Sequence, residues 1–255
     1  MNYDRPFKMF HVNEYMGGYA IKIIQPYIND IFLMELQQIL DDLEKDESVN
    51  IIYFFGNGNV FCKGLDFSYI VGHNTDRVKD QLTYGYSRLL YRIKTYPKFV
   101  VAYIDGKVMA GGVGIACVCD YLMIGKNTAF QLTEILWGLL PAMIAPYIIN
   151  RIGIHRFHVM TALMKNVDSK TAVLWNLADE ETEKIDDSAR KLFLRIRNVP
   201  VSAIKREKEF INKIQNDYSM NSEELSKVTC DLLKNKGIFD NIGNYVQFGK
   251  LPLER

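Results

Sequence analysis

The chain has 255 residues, 48% of them hydrophobic, which is enough to bury a sizeable core and too many for a disordered segment. Lys and Arg number 31 against 30 Asp and Glu, so the chain carries no electrostatic footprint for nucleic acid or an anionic membrane. Four cysteines (Cys62, Cys117, Cys119 and Cys230) form no C-x-x-C pair, which argues against a zinc site and for buried reduced thiols in a cytoplasmic protein.

Met1 to Pro6 has no apolar core and no small-residue cleavage site, so no signal peptide is expected. Met9–Glu14 and Tyr19–Ile24 flank Gly17-Gly18, which predicts a β-hairpin with a two-residue turn. Asn29-Asp30 is placed to cap a helix over Ile31–Lys45, whose Leu33, Leu36, Ile39, Leu40 and Leu43 recur at helical spacing. Asn50–Phe55 is a short apolar run ending in Gly56-Asn57-Gly58, which predicts a buried strand and a turn. Arg77–Tyr96 reads as mostly helical, Phe99–Ile104 as a second buried strand and Tyr121–Ile124 as a third. This alternation predicts an α/β core with right-handed crossovers.

Leu132 to Ile149 is the most apolar stretch. Glu134, Pro141 and Pro146 interrupt it, so it reads as buried core and not as a membrane span. After about Pro141 the pattern is helical, over 141–151, 155–165, 169–176, 183–198, 201–216 and 221–236. The division is a core over 1–195 and a helical C-terminal region over 196–255. No internal repeat or Gly/Ser linker appears.

Two segments carry the chemistry. One is Phe61-Cys62-Lys63-Gly64-Leu65-Asp66. The other is Gly106-Lys107-Val108-Met109-Ala110-Gly111-Gly112, running on to Asp120. Each places glycine after an apolar run, where the backbone can take unusual angles and leave N–H groups uncovered. Two such donors converging on one point make an oxyanion hole, suited to the charge that develops on a thioester oxygen. That requires the two loops to meet.

These residues resemble the crotonase superfamily of enoyl-CoA hydratases and isomerases. The first segment is similar to its F-C-x-G-x-D loop, and Asp105-Gly106 through Gly112 to Asp120 to its N-G-x-x-x-G-G-G … D segment. Ala129-Phe130-Gln131-Leu132-Thr133-Glu134 with Gly138-Leu139-Leu140-Pro141 resembles A-x-F-x-x-P-E … G-x-x-P. The tail Gly243-Asn244-Tyr245 … Gly249-Lys250-Leu251-Pro252 also fits, so the likeness spans nearly the whole chain. It implies a ββα spiral core, a helical C-terminal region that closes over the site and joins subunits, and assembly as trimers or hexamers. It also implies oxyanion donors at the N–H groups of Leu65 and Gly111, with Gly111-Gly112 opening a helix whose dipole adds positive charge. Lys63, Gly64, Leu65, Asp66, Gly111 and Gly112 then become the substrate-binding set. No cofactor and no metal are implied.

Two departures narrow the function. Many hydratases carry two catalytic glutamates, but the second-motif position here is Gly114, and only the third-motif Glu134 remains. The loop that usually brings basic residues to the nucleotide of CoA is here Ile24-Gln25-Pro26-Tyr27-Ile28-Asn29-Asp30, with no Lys or Arg. A site that does not grip the nucleotide suits a substrate tethered by pantetheine to an acyl carrier protein. A plain loop deletion explains the same absence.

The pattern is similar to the dehydratases of polyketide β-branching cassettes. The partner decarboxylase of those cassettes lacks the third-motif glutamate that this chain keeps. The resemblance implies dehydration of a carrier-bound 3-hydroxy-3-methylglutaryl group, with Glu134 as the base. Lys63, Lys107 or a Tyr or Arg of residues 84–92 is a candidate partner for its free carboxylate. Two alternatives remain: a hydratase or isomerase acting on free CoA thioesters, and a silent crotonase-fold protein that binds carrier proteins. A pure scaffold needs neither Glu134 nor both glycine loops.

Other readings fit poorly. Gly112-Val113-Gly114 is followed by Cys117 where a dinucleotide fingerprint has Gly or Ala. His155 and His158 lie three apart without a third ligand.

Overall fold

The computed structural model describes residues 7–216 and 222–252. Strands β1 (Phe10–Tyr15) and β2 (Gly18–Ile23) pair antiparallel, with Tyr15 opposite Gly18. The turn is therefore Met16-Gly17, one residue earlier than the sequence pattern places it. Both turn residues have positive φ, 45° and 70°, as a two-residue hairpin turn of this hand requires.

Helix α1 (Asp30–Glu44) starts where expected, because the Asn29 side chain accepts the Phe32 N–H. Its buried face is Phe32, Leu36, Ile39, Leu40 and Leu43. Phe32 takes the place expected for Leu33, which is only partly buried. Each such side chain contributes roughly 1.5–3 kcal/mol on burial.

The core repeats a strand-strand-helix unit. Its first copy is β3 (Ile51–Phe55), β4 (Val60–Cys62), α2 (Phe67–Gly72) and α3 (Asp76–Lys94). The second is β5 (Phe99–Ile104), β6 (Lys107–Met109) and α4 (Gly111–Val118). The third is β7 (Tyr121–Ile124), β8 (Ala129–Gln131), a 3-10 turn (Glu134–Trp137) and α5 (Ala145–Ala162). The first strand of each copy joins one sheet and the second joins another. The six-stranded sheet has the order β1-β2-β3-β5-β7-β10, and the four-stranded sheet β4-β6-β8-β9, where β9 is Val167–Asp168 and β10 is Glu180–Glu181. Within the repeats all pairings are parallel. The chain thus winds as a ββα spiral, a mixed α/β fold of the crotonase type.

Sequence periodicity misses the smaller sheet because its strands are only two or three residues long. The expected break between helices 141–151 and 155–165 is present as a kink inside α5 at Gly153, with φ 79° and ψ 159°.

The helical C-terminal part comprises α6 (Ser169–Leu174), α7 (Ile185–Ile196), α8 (Val201–Asn216), α9 (Ser222–Lys234) and α10 (Lys236–Phe248). Asp120 anchors α8: its carboxylate accepts the Val100 N–H at 2.7 Å and pairs with the buried Lys208 ammonium, which also donates to the Lys98 carbonyl at 2.8 Å. Burial pushes the Asp120 carboxyl up, and the Lys208 charge opposes that shift. Asp120 is therefore a packing residue, consistent with its place outside the predicted site set. Helix α9 packs on α3, and α10 packs on α2 and on the 3-10 turn. There Ile238, Ile242 and Val246 meet Trp137 and Leu139.

Candidate active site

The two glycine loops follow neighbouring parallel strands, β4 and β6, in which Cys62 pairs with Val108. They meet at Gly64, which has φ +86°. A Cβ there would lie 2.8 Å from the Ala110 Cβ and 2.9 Å from the Gly111 nitrogen. Only glycine gives both that angle and that approach.

Leu65 forms a parallel bridge with Ile28. The Ile28 N–H donates to the Gly64 carbonyl at 2.8 Å, and the Asp66 N–H donates to the Ile28 carbonyl at 2.9 Å. In that pattern the flanking groups face the partner strand, so the Leu65 N–H points away from it. Gly111 and Gly112 are the first residues of α4, whose cap residue Ala110 gives no side-chain acceptor. N–H groups in a first turn have no intrahelical partner. Ala110 holds φ 47°, a strained angle for a residue with a Cβ. The Tyr86 hydroxyl donates to the Gly111 carbonyl and fixes that peptide from below. This arrangement can receive an oxyanion between the Leu65 and Gly111 N–H groups.

A cavity of about 950 Å³ opens over these loops. Lys63, Leu65, Asp66, Gly111 and Glu134 of the predicted set line it, and so does Lys107. Gly64 and Gly112 do not. Both are close-packing positions, since a Cβ on Gly112 would fall 2.4 Å from the Cys62 carbonyl oxygen. The Asp66 side chain caps α2 by accepting the Tyr69 N–H at 3.0 Å. Lys63 donates to the Tyr27 hydroxyl at 3.2 Å and lies over the same ring, while Lys107 is exposed.

Glu134 opens the 3-10 turn after β8. Its Oε2 is buried and has no hydrogen-bond partner among the described residues. Burial pushes its pKa up to about 7, against a smaller pull from the backbone N–H groups of Glu134 and Thr133. A carboxyl balanced near neutrality and facing a cavity has the properties of a general base.

The place of the absent second glutamate is filled. A Cβ on Gly114 would lie 2.2 Å from Ile144 Cγ2 and 2.6 Å from the Tyr86 hydroxyl. A side chain there meets Ile144 and Tyr86, which leaves Glu134 and the helix-capping Asp66 as the carboxyl groups on the cavity.

The resemblance implies a C-terminal region closing over the site and a Tyr among residues 84–92 as a substrate partner, but not the place of Tyr86 beneath Gly111 nor Thr229 and Val246 in the wall. Thr229, Tyr245, Val246, Gly249 and Leu251 line the cavity from α9, α10 and the segment after it. For Thr229 and Val246, distance in sequence left no local signal. The four cysteines are free and buried, and burial pushes the Cys62 and Cys117 thiols up to about 12, which makes them poor nucleophiles. Among the described residues no group of three or more His, Cys, Asp or Glu is placed to hold a metal, and no helix is long and apolar enough to cross a membrane.

A ββα spiral with two glycine loops and a buried carboxyl beside one cavity is an architecture of the crotonase class. The enoyl-CoA hydratase/isomerase family profile matches residues 19–238, and the chain belongs to that family. It is 29% identical over 228 residues to the bacillaene synthase dehydratase PksH of Bacillus subtilis, covering 89% of this chain and 88% of that protein. The crystal structure of PksH, a polyketide biosynthesis enoyl-CoA hydratase, superposes with a TM-score of 0.88 at 26% identity, over 97% of this chain and all of that one. An enoyl-CoA hydratase from Bacillus halodurans shares the fold, with a TM-score of 0.84 at 16% identity over 92% of this chain and 99% of that one. Family membership and the match to a dehydratase along most of the chain make it an enzyme of the hydro-lyase class.

Proposed function

We propose that the protein removes water from a 3-hydroxy-3-methylglutaryl group carried on an acyl carrier protein, giving the 3-methylglutaconyl thioester during polyketide β-branching. The observation that carries this reading is Glu134, the cavity carboxyl with a buried and unpartnered oxygen, on the same cavity as the Leu65 and Gly111 loops, with Ile144 and Tyr86 packed at the second carboxylate position.

Glu134 takes the proton from C2, and the electron pair moves onto the thioester oxygen, which accepts hydrogen bonds from the Leu65 and Gly111 N–H groups. Each such donor contributes ~10²–10³ in rate. The enolate then re-forms the carbonyl, the C2–C3 double bond forms, and the C3–O bond breaks. Glu134 returns its proton to the departing hydroxyl, which leaves as water. One carboxylate serving both steps requires syn elimination. A pKa of about 7 suits a group that must accept and then donate.

A carrier-bound substrate is supported by the segment 24–29 between β2 and α1, which has no Lys or Arg to meet a nucleotide. The relative named for bacillaene synthase points the same way. Exposed Ile154, Leu163 and Leu174 on the outer helices support assembly into trimers or hexamers, with the region after residue 196 serving as both lid and subunit contact. Buried free thiols suit a cytoplasmic location.

The test is turnover by Glu134→Gln. Loss of about 10²–10⁴ in rate with an unchanged circular dichroism spectrum is expected. Near-normal dehydration by that variant rules out Glu134 as the base.

A further inference from the structure

The described residues contain three buried side-chain oxygens with no hydrogen-bond partner: Glu134 Oε2, Thr161 Oγ1 and Thr229 Oγ1. Two of these residues line the cavity, Glu134 from the 3-10 turn after β8 and Thr229 from α9. Thr229 is only 4% exposed and sits on α9, on the lid side. Much of the remaining wall is apolar, with Phe67, Leu136, Trp137, Leu139, Met143 and Ile144. A buried hydroxyl with no partner is costly unless a ligand supplies one.

We propose that the Thr229 hydroxyl binds the distal carboxylate of the acyl group, and so selects an acidic acyl chain over an apolar one. The inference rests on the dehydratase reading. In that reaction Glu134 already serves C2 and the 3-hydroxyl. The one polar group of the acyl chain left without a partner is its far carboxylate, and among the described residues Thr229 is, beside Glu134, the cavity-lining residue whose buried oxygen has none. A hydroxyl donating to a carboxylate makes a charge-assisted bond, stronger than one between neutral groups. The charges beside α9 are paired with one another: the Asp80 carboxylate of α3 accepts a hydrogen bond from the thiol of Cys230, the neighbour of Thr229, at 2.6 Å and pairs with Lys234 at 2.9 Å, and the buried Lys79 ammonium lies off the cavity wall, 3.9 Å from Asp76. Lys63 and Lys107 contribute instead to the more exposed part of the wall.

The test uses acyl-pantetheines that lack the 3-hydroxyl and so cannot be dehydrated. Binding of 3-methylglutaryl-pantetheine and of 3-methylpentanoyl-pantetheine is measured by calorimetry for the full chain and for Thr229→Val and Thr229→Ser. The unaltered protein is expected to bind the acidic probe about tenfold or more tightly than the apolar one. Thr229→Val, which keeps the shape and removes the hydroxyl, is expected to erase that preference while leaving the apolar probe's affinity unchanged and the Tm equal or higher, since it removes an unpartnered buried hydroxyl. Thr229→Ser is expected to retain it. Equal binding of the two probes, failure of the acidic probe to bind, or a preference that survives Thr229→Val overturns the assignment. Turnover of the hydroxylated substrate is read separately. Acid-selective binding without dehydration leaves Thr229 in place and refutes the dehydratase reading.

Discussion

The raised pKa of Glu134 makes catalysis and stability oppose each other, and Glu134→Gln exposes the opposition. An ordinary glutamate titrates near 4.5, whereas in the folded protein Glu134 titrates near 7. Below about pH 4.5 the carboxyl is protonated in both folded and unfolded chains, and burial costs no charge. Between pH 4.5 and 7 the unfolded chain has lost the proton that the folded chain keeps. Stability then falls as pH rises, by about 1.4 kcal/mol per unit. Above pH 7 the group is ionised in both states and the whole penalty, about 3 kcal/mol, is present. Gln carries no titrating group, so its own burial cost does not change with pH. The stability difference, Glu134→Gln minus the unaltered protein, should therefore rise by about 3 kcal/mol between pH 4.5 and pH 8. For a chain of this size that is roughly 6 °C or more in Tm. Thermal melts of both proteins across that range supply the measurement. A difference that stays flat with pH refutes the claim that the folded protein holds an unpaired carboxyl out of water.

Four further outcomes follow from the same geometry. In steady-state assays of the unaltered enzyme, kcat/KM should rise with pH through an apparent pKa near 7, because the ionised carboxylate is the base; a profile flat from pH 5.5 to 8.5 contradicts the role of Glu134. Gly64→Ala meets both the positive φ and the Ala110 and Gly111 contacts. It should force the two loops apart and lower kcat by about 10²–10³, as loss of one oxyanion donor does, and an active Gly64→Ala enzyme speaks against the loop geometry. Gly114→Ala should cost about 1–3 kcal/mol by overpacking against Ile144 and Tyr86, measured by denaturant unfolding. The same reasoning predicts that Gly114→Glu yields no second catalytic acid.

Much of the fold is legible in the sequence, because its longer elements carry their own signals. Asn29 announces α1, the alternation of apolar runs and helical stretches announces the larger sheet, and the gap between the helical stretches 141–151 and 155–165 announces the kink in α5. The smaller sheet is not legible: β4, β6 and β8 are three residues each, too short to show a period, and neighbouring strands define them. Helix α10 is also hidden as a helix, although the tail is legible as a motif. Gly237 and Gly243 weaken helix propensity, yet α10 runs from Lys236 to Phe248 because Ile238, Ile242 and Val246 find Trp137 and Leu139. Within the site, the glycine loops and Glu134 stand out as motifs. Sequence shows Gly114 only as a missing carboxylate, and packing shows that Ile144 and Tyr86 have closed the position. Thr229 has no motif at all, and its place on the cavity comes from α9 folding back onto α3.

The central claim is that this site dehydrates an acyl group delivered by a carrier protein. The most direct measurement is mass spectrometry of the purified protein incubated with 3-hydroxy-3-methylglutaryl on an acyl carrier protein, beside the same acyl group on CoA. Loss of water from the carrier-bound substrate, faster than from the CoA thioester, is the predicted result. Equal or faster loss from CoA contradicts the carrier reading, and no loss from either contradicts the substrate.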